Sequence, residues 1–86
     1  MKNLKIIPFK ELKVYEIYLA QSVEGTVVAR VTYSEIESTG TWEHQWAVQG
    51  KVISSNFYKS TYHNIHEDDN IQVSRINRKD FPEFWL

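Results

Sequence analysis

The sequence predicts one small, mostly β domain built on an antiparallel sheet of about five strands. Three observations carry this. Apolar residues recur with a period of two along Thr26–Ile36 and Thr41–Ile53, which is the pattern of a strand with one buried face. Between them lies Glu37-Ser38-Thr39-Gly40, a short polar link ending in glycine, as a hairpin requires. Most other apolar runs are rich in β-branched and aromatic residues, and no internal repeat or low-complexity tract interrupts them.

The elements follow in chain order. Lys5–Phe9 reads as a short edge strand, with Pro8 blocking one ladder bond. In Leu12–Ala20, Tyr15, Ile17 and Leu19 alternate with Val14, Glu16 and Tyr18. Apolar residues on both faces suit a central strand, and a helix is the competing reading. Gln21-Ser22-Val23-Glu24-Gly25 is a turn into the next strand. There Val27, Ala29, Val31 and Tyr33 share one face and Arg30, Thr32 and Ser34 the other; Val28 breaks the alternation. In Thr41–Ile53, Trp42, His44, Trp46, Val48 and Val52 oppose Glu43, Gln45, Gln49 and Lys51, with Ala47 among the latter. Gly50 marks a bulge or a close backbone approach. Phe57–His66 leans toward strand by composition, with a helix as its rival, and Asn70–Ile76 is the last strand, with Ile71 and Val73 inward. In the tail, Asp80 and Glu83 have the spacing of a capping box around one helical turn. The favoured form is a curled, barrel-like sheet of SH3-like or OB-like type. The alternative is a flatter sheet covered by the tail or a helix, and an α+β variant with one short helix or a C-terminal helical turn is possible.

The chain has 86 residues, enough for a single domain over 1–86 and too few for two cores. It contains no cysteine, which removes disulfides, thiolate metal sites and cysteine nucleophiles. That fits a reducing compartment. The N-terminal residues resemble no secretory signal and no run is long enough to span a membrane, so the expectation is cytoplasmic, with no membrane partner. Ten Lys and Arg against eleven Asp and Glu give no general attraction to polyanions.

Four constellations could carry chemistry. His63 and His66, followed by Glu67, Asp68 and Asp69, have metal-ligating side chains, but a lone H-x-x-H is weak, and the expectation is no metal and no cofactor. His44 between Trp42 and Trp46 could be a tuned base, yet no partner is placed beside it. Tyr15, Tyr18, Tyr33, Phe57, Tyr58 and Tyr62 could stack bases, with Arg30, Lys51, Lys59, Arg75, Arg78 and Lys79 supplying charge. Arg75, Arg78 and Lys79 are the densest of these cations, so with Tyr58 and Tyr62 they form the candidate nucleic-acid site. Finally, three Trp, five Tyr and four Phe exceed what so small a core encloses. The apolar tail Phe81, Phe84, Trp85 and Leu86 is the candidate partner-binding patch, unless it docks on its own sheet.

There is no phosphate-cradling glycine loop, dinucleotide fingerprint or nucleophile elbow. The leading expectation is a non-enzymatic binding module, of adaptor or inhibitor type, that engages a protein partner or forms a homo-oligomer. A single-stranded nucleic-acid binder comes second, and a histidine- or metal-dependent enzyme third. In size and bulk character the chain is similar to small accessory and inhibitor proteins, including those carried by phages and mobile elements.

Overall fold

The computed structural model describes residues 4–34, 46–66 and 71–85. Within them lie six strands: β1 (Ile6–Ile7), β2 (Ile17–Ser22), β3 (Gly25–Ser34), β4 (Trp46–Ser55), β5 (Tyr62–His66) and β6 (Gln72–Arg75). They form one sheet in the order β1-β6-β2-β3-β4-β5, and every pairing is antiparallel. The mostly β, antiparallel expectation holds, and each of the six strands overlaps a segment that the sequence reads as strand.

The barrel is where expectation and structure part. The sheet stays open, with β1 at one edge and β5 at the other. β1 is only two residues long and ends at Pro8, so it offers almost nothing to pair with β5. The sheet does coil. The Tyr18 hydroxyl on β2 lies 2.7 Å from His63 Nδ1 on β5, although β3 and β4 run between them. Three strand spacings in a flat sheet span about 14 Å, too far for one phenol and one imidazole to bridge without curvature. The Tyr18 ring passes over Ala29 and Gly50, the two small residues that let it lie flat on the sheet.

Both faces of the sheet are covered. The inner face buries Leu12, Tyr18, Ala20, Val27, Ala29, Val31, Val48, Ile65 and Val73. Phe9, from the 3-10 turn Phe9–Glu11, packs against this cluster with Phe57 and Tyr58. The outer face holds a second cluster, Ile17, Val28 and Ile76, against which Leu19, Phe81, Phe84 and Trp85 pack. The two-sided pattern of β2 is thereby explained: Tyr18 and Ala20 face in, Ile17 and Leu19 face out. Val28, the exception in its strand, is the outer cluster's member on β3.

Two irregularities shift the β3–β4 register, one between Val28 and Ala29 and one between Val31 and Tyr33. The second inserts Thr32 as an unpaired residue, and a bulge reverses the faces beyond it. Ser34 is consequently buried and Tyr33 only half-buried, opposite to simple alternation.

Other boundaries move for local reasons. β2 begins at Ile17 because Lys13–Glu16 forms a turn. The strand expected over Phe57–His66 begins only at Tyr62. Ahead of it, the Ser55 hydroxyl accepts hydrogen bonds from the amides of Phe57 (3.2 Å) and Tyr58 (2.9 Å) and turns the chain out of β4. The strand expected over Lys5–Phe9 is cut to β1, with the 3-10 turn after it. The capping box does not form: Phe81 is the N-cap of the 3-10 turn Pro82–Phe84, and no side chain caps it. Asp80 pairs instead with Asn77, whose Oδ1 accepts from the Asp80 amide at 2.8 Å. No helix among the described residues is long and apolar enough to cross a membrane.

Candidate functional site

Tyr18 alone among the described aromatic side chains is fully buried; the rest are half-buried or exposed. Aliphatic and β-branched side chains fill most of the core, and the rings are left for its margins. A concavity lies among these margins, on the outer face. It is an open-sided groove of about 410 Å³, lined by Tyr15, Arg30, Thr32, Lys51, Ile53 and Phe84, with Glu83 at its wall. A smaller depression of about 290 Å³, at Gln21, Ser22, Val23 and Gln72, carries no charged side chain.

The floor of the groove comes from β3 and β4. Arg30 and Lys51 are direct cross-strand partners. Their Cβ atoms therefore lie about 5 Å apart on one face, and like charges so placed repel. Neither forms an ion pair among the described residues, and both are exposed. Thr32, the bulged residue, donates its hydroxyl to the Gln49 carbonyl at 3.1 Å. Ile53 is 41 % exposed on the same strand as Lys51.

One wall is Tyr15. The residue is 81 % exposed and its φ is 77°, the left-handed region that a bulky side chain rarely enters. The backbone around it is over-determined. The Tyr15 amide donates to the Val31 carbonyl at 2.9 Å, the Val31 amide to the Glu16 carbonyl at 2.8 Å, and the Glu16 amide to the Lys13 carbonyl at 3.0 Å. The Glu16 carboxylate closes the turn: Oε1 accepts from the Lys13 amide at 2.6 Å and Oε2 pairs with Arg75 Nε at 2.6 Å. The other wall is the tail. Asn77 and Asp80 turn the chain, the Phe81 and Phe84 rings stack with centroids 6.2 Å apart, and Phe84 reaches the groove.

The residues singled out by sequence divide as follows. Phe81, Phe84 and Trp85 pack on their own sheet and stay half-buried; Leu86 lies outside the described residues. Arg75 is engaged by Glu16 and by the Glu11 carbonyl at 2.9 Å. Arg78 and Lys79 are exposed in the turn after β6. Tyr58 donates its hydroxyl to the Tyr62 carbonyl at 2.9 Å, and Tyr62 sits on edge strand β5. β5 and β6 are separated in the sheet by three strands, so Tyr62 and Arg75 are not neighbours in the sheet. Tyr15, Arg30 and Lys51, named in the wider list of stacking and charged residues, do come together. Ile53 was missed, although an apolar residue of the same parity as Gln49 and Lys51 was a signal.

The histidines behave as strand residues. His63 faces inward to Tyr18, and His66, three positions on in a strand, falls on the opposite face. Glu67, Asp68, Asp69 and His44 lie outside the described residues. Among the described residues no three histidine, cysteine, aspartate or glutamate side chains gather. Burial, with the Tyr58 phenol adding to it, pushes the Tyr18 phenol far above its usual value. Tyr18 therefore keeps its proton, its hydroxyl is hydrogen-bonded to His63 Nδ1 with the direction set by the imidazole tautomer, and this buried pair is a structural bridge rather than an accessible acid–base dyad.

No family model matches the chain, and no curated protein or solved structure matches it either.

Proposed function

We propose that this chain is a non-enzymatic binding module that engages a protein partner through the outer-face groove. One observation carries the reading: Tyr15 is held with its ring in solvent by a backbone conformation that costs on the order of 1 kcal/mol or more. An exposed ring gains little from burial to offset that cost. Strain that the surrounding hydrogen bonds maintain at a groove wall is the kind of feature that displays a contact residue. Tyr and Arg are also the residue types that anchor interfaces, and here they share the groove with Phe84 and Ile53. The tail belongs to the same surface, because Phe84 packs on the outer cluster and also lines the groove.

A random peptide library displayed on phage, panned against the wild-type chain and against Tyr15→Ala, tests this. Sequences retained by wild type and lost with Tyr15→Ala support it. They should shift the amide resonances of Tyr15, Arg30 and Lys51 in the labelled chain. A library that yields nothing dependent on Tyr15 removes the reading. Sedimentation of the free chain checks the competing occupant, a second copy.

Single-stranded nucleic acid is the second reading, because cations beside exposed rings on a sheet face suit bases and phosphates. Two features weigh against it. Glu83 lines the same groove, and the net charge is −1.

A further inference from the structure

The groove's charge arrangement says which peptide it takes. Resting on the binding-module reading, we infer that the groove accepts an extended segment carrying one aspartate or glutamate beside an aromatic or large aliphatic side chain. The carboxylate sits between Arg30 and Lys51, and the apolar side chain lies among Tyr15, Ile53 and Phe84.

The argument begins with the two cations. Arg30 and Lys51 oppose each other across β3 and β4, the arrangement that disfavours strand pairing. No acidic side chain of the described residues pairs with either, although Glu16 is taken up by Arg75 nearby. A carboxylate between them turns a repulsive pair into two charge-assisted hydrogen bonds. Both donors end long side chains whose Cβ atoms start about 5 Å apart, so the two can converge on its two oxygens.

The rest of the lining supplies the apolar half. Tyr15, Ile53 and Phe84 come from the turn before β2, from β4 and from the tail, and they border the same cavity as the cations. The cavity is open along its side, so it suits a chain that passes through rather than an enclosed small molecule. Glu83 sets the count of anions. A run of phosphates would be carried past this carboxylate, whereas one carboxylate held at Arg30 and Lys51 need not approach it.

Glu16 is a positioning residue here. Its carboxylate holds Lys13 and Arg75, and so fixes the turn from which Tyr15 projects, without touching the groove.

The test uses the full chain and end-blocked pentapeptides with Asp-Trp, Asn-Trp or Asp-Ala at the centre, followed by amide shifts and titration calorimetry. The Asp-Trp peptide should bind about tenfold more tightly than Asn-Trp and than Asp-Ala. In the double variant Arg30→Glu and Lys51→Glu that preference should invert, so that Lys-Trp binds best. This variant keeps a like-charged pair at the same position, so its melting temperature should stay near wild type and loss of binding cannot be ascribed to unfolding. Equal affinity for Asp-Trp and Asn-Trp overturns the carboxylate assignment and leaves the binding-module reading standing. Binding of an oligothymidylate with none of the peptides overturns both.

Discussion

The place where this fold tolerates least is Gly50, and replacing it with alanine gives the most direct measure of how the inner core is built. A Cβ at that position would lie 2.6 Å from the Tyr18 hydroxyl, 2.8 Å from its Cε1 and 3.0 Å from the Ala29 Cβ, where ordinary contact begins at 3.4 Å. The ring would have to retreat by about 0.8 Å, into a core without spare volume. It is not free to do so, because Tyr18 is fully buried and its hydroxyl is fixed 2.7 Å from His63. Nor can Gly50 withdraw easily, since β4 is paired on both sides, to Val31 and to His63. Overpacking of this kind costs about 1–3 kcal/mol. Breaking the buried hydrogen bond adds about 1–3 kcal/mol, and the stiffer unfolded chain returns about 0.5–1 kcal/mol. The expected net loss for Gly50→Ala is about 1–5 kcal/mol, out of a total on the order of 5–10 kcal/mol for a domain of this size. Urea denaturation followed by circular dichroism reads it as a lower midpoint at constant slope. The cause is checked by Tyr18→Phe, which removes the atom nearest the new methyl. Gly50→Ala should cost less in that background, with a coupling of about 1 kcal/mol. A Gly50→Ala variant within about 0.5 kcal/mol of wild type, or strict additivity with Tyr18→Phe, would refute the account of the ring lying over Gly50.

Three further outcomes follow from the same geometry. Tyr15→Gly should hold or raise the melting temperature, by up to about 1 kcal/mol in stability, because glycine takes φ 77° without strain; a clear drop would mean that the ring packs more than its exposure implies. Because burial raises the Tyr18 phenol above its ordinary value, the unfolded chain loses that proton first as pH rises. Stability conferred by the neutral phenol is thus complete below about pH 10 and falls above it by up to about 1.4 kcal/mol per unit, and the extra slope should be absent in Tyr18→Phe under alkaline denaturation. Trp85→Ala should cost about 1–2 kcal/mol yet leave the far-ultraviolet spectrum of the sheet, since the ring covers only the outer cluster; full unfolding at room temperature would show that the two clusters form one cooperative core.

Much of the sheet was legible because period two is a direct imprint of a half-buried strand. Val27, Ala29 and Val31 on β3, Val48 and Val52 on β4, and Ile71 and Val73 near β6 all pack inward as their spacing required. Central placement of β2 followed from its two apolar faces, and Gly50 was flagged as a bulge or a close backbone approach; what comes close to it is the side chains of Tyr18 and Ala29. What escaped were features that depend on register. A bulge at Thr32 moves every later residue of β3 to the other face, and nothing in the local sequence announces it. The open sheet escaped because closure depends on what the edges can pair with, and β1 proved too short. At the groove, the chemistry of Tyr15, Arg30 and Lys51 was visible and their convergence was not. They lie on three elements far apart in sequence, and only strand pairing sets Arg30 opposite Lys51.

The groove combines two locally unfavourable choices that a sequence selected for stability alone would avoid. A tyrosine occupies a left-handed position that glycine or asparagine would fill without strain. A lysine faces an arginine across a strand pair where a glutamate would give attraction. Either could be removed by one substitution on an exposed surface, with no cavity to fill and no core to repack. That they border the same groove ties them to one surface. Repulsion between Arg30 and Lys51 is relieved by an anion, and the exposed ring of Tyr15 is repaid by an apolar contact, so a single ligand carrying both would answer both. A ligand of that kind should raise the stability of the wild-type chain more than that of a chain carrying Tyr15→Gly together with Lys51→Glu, which has neither defect left to relieve.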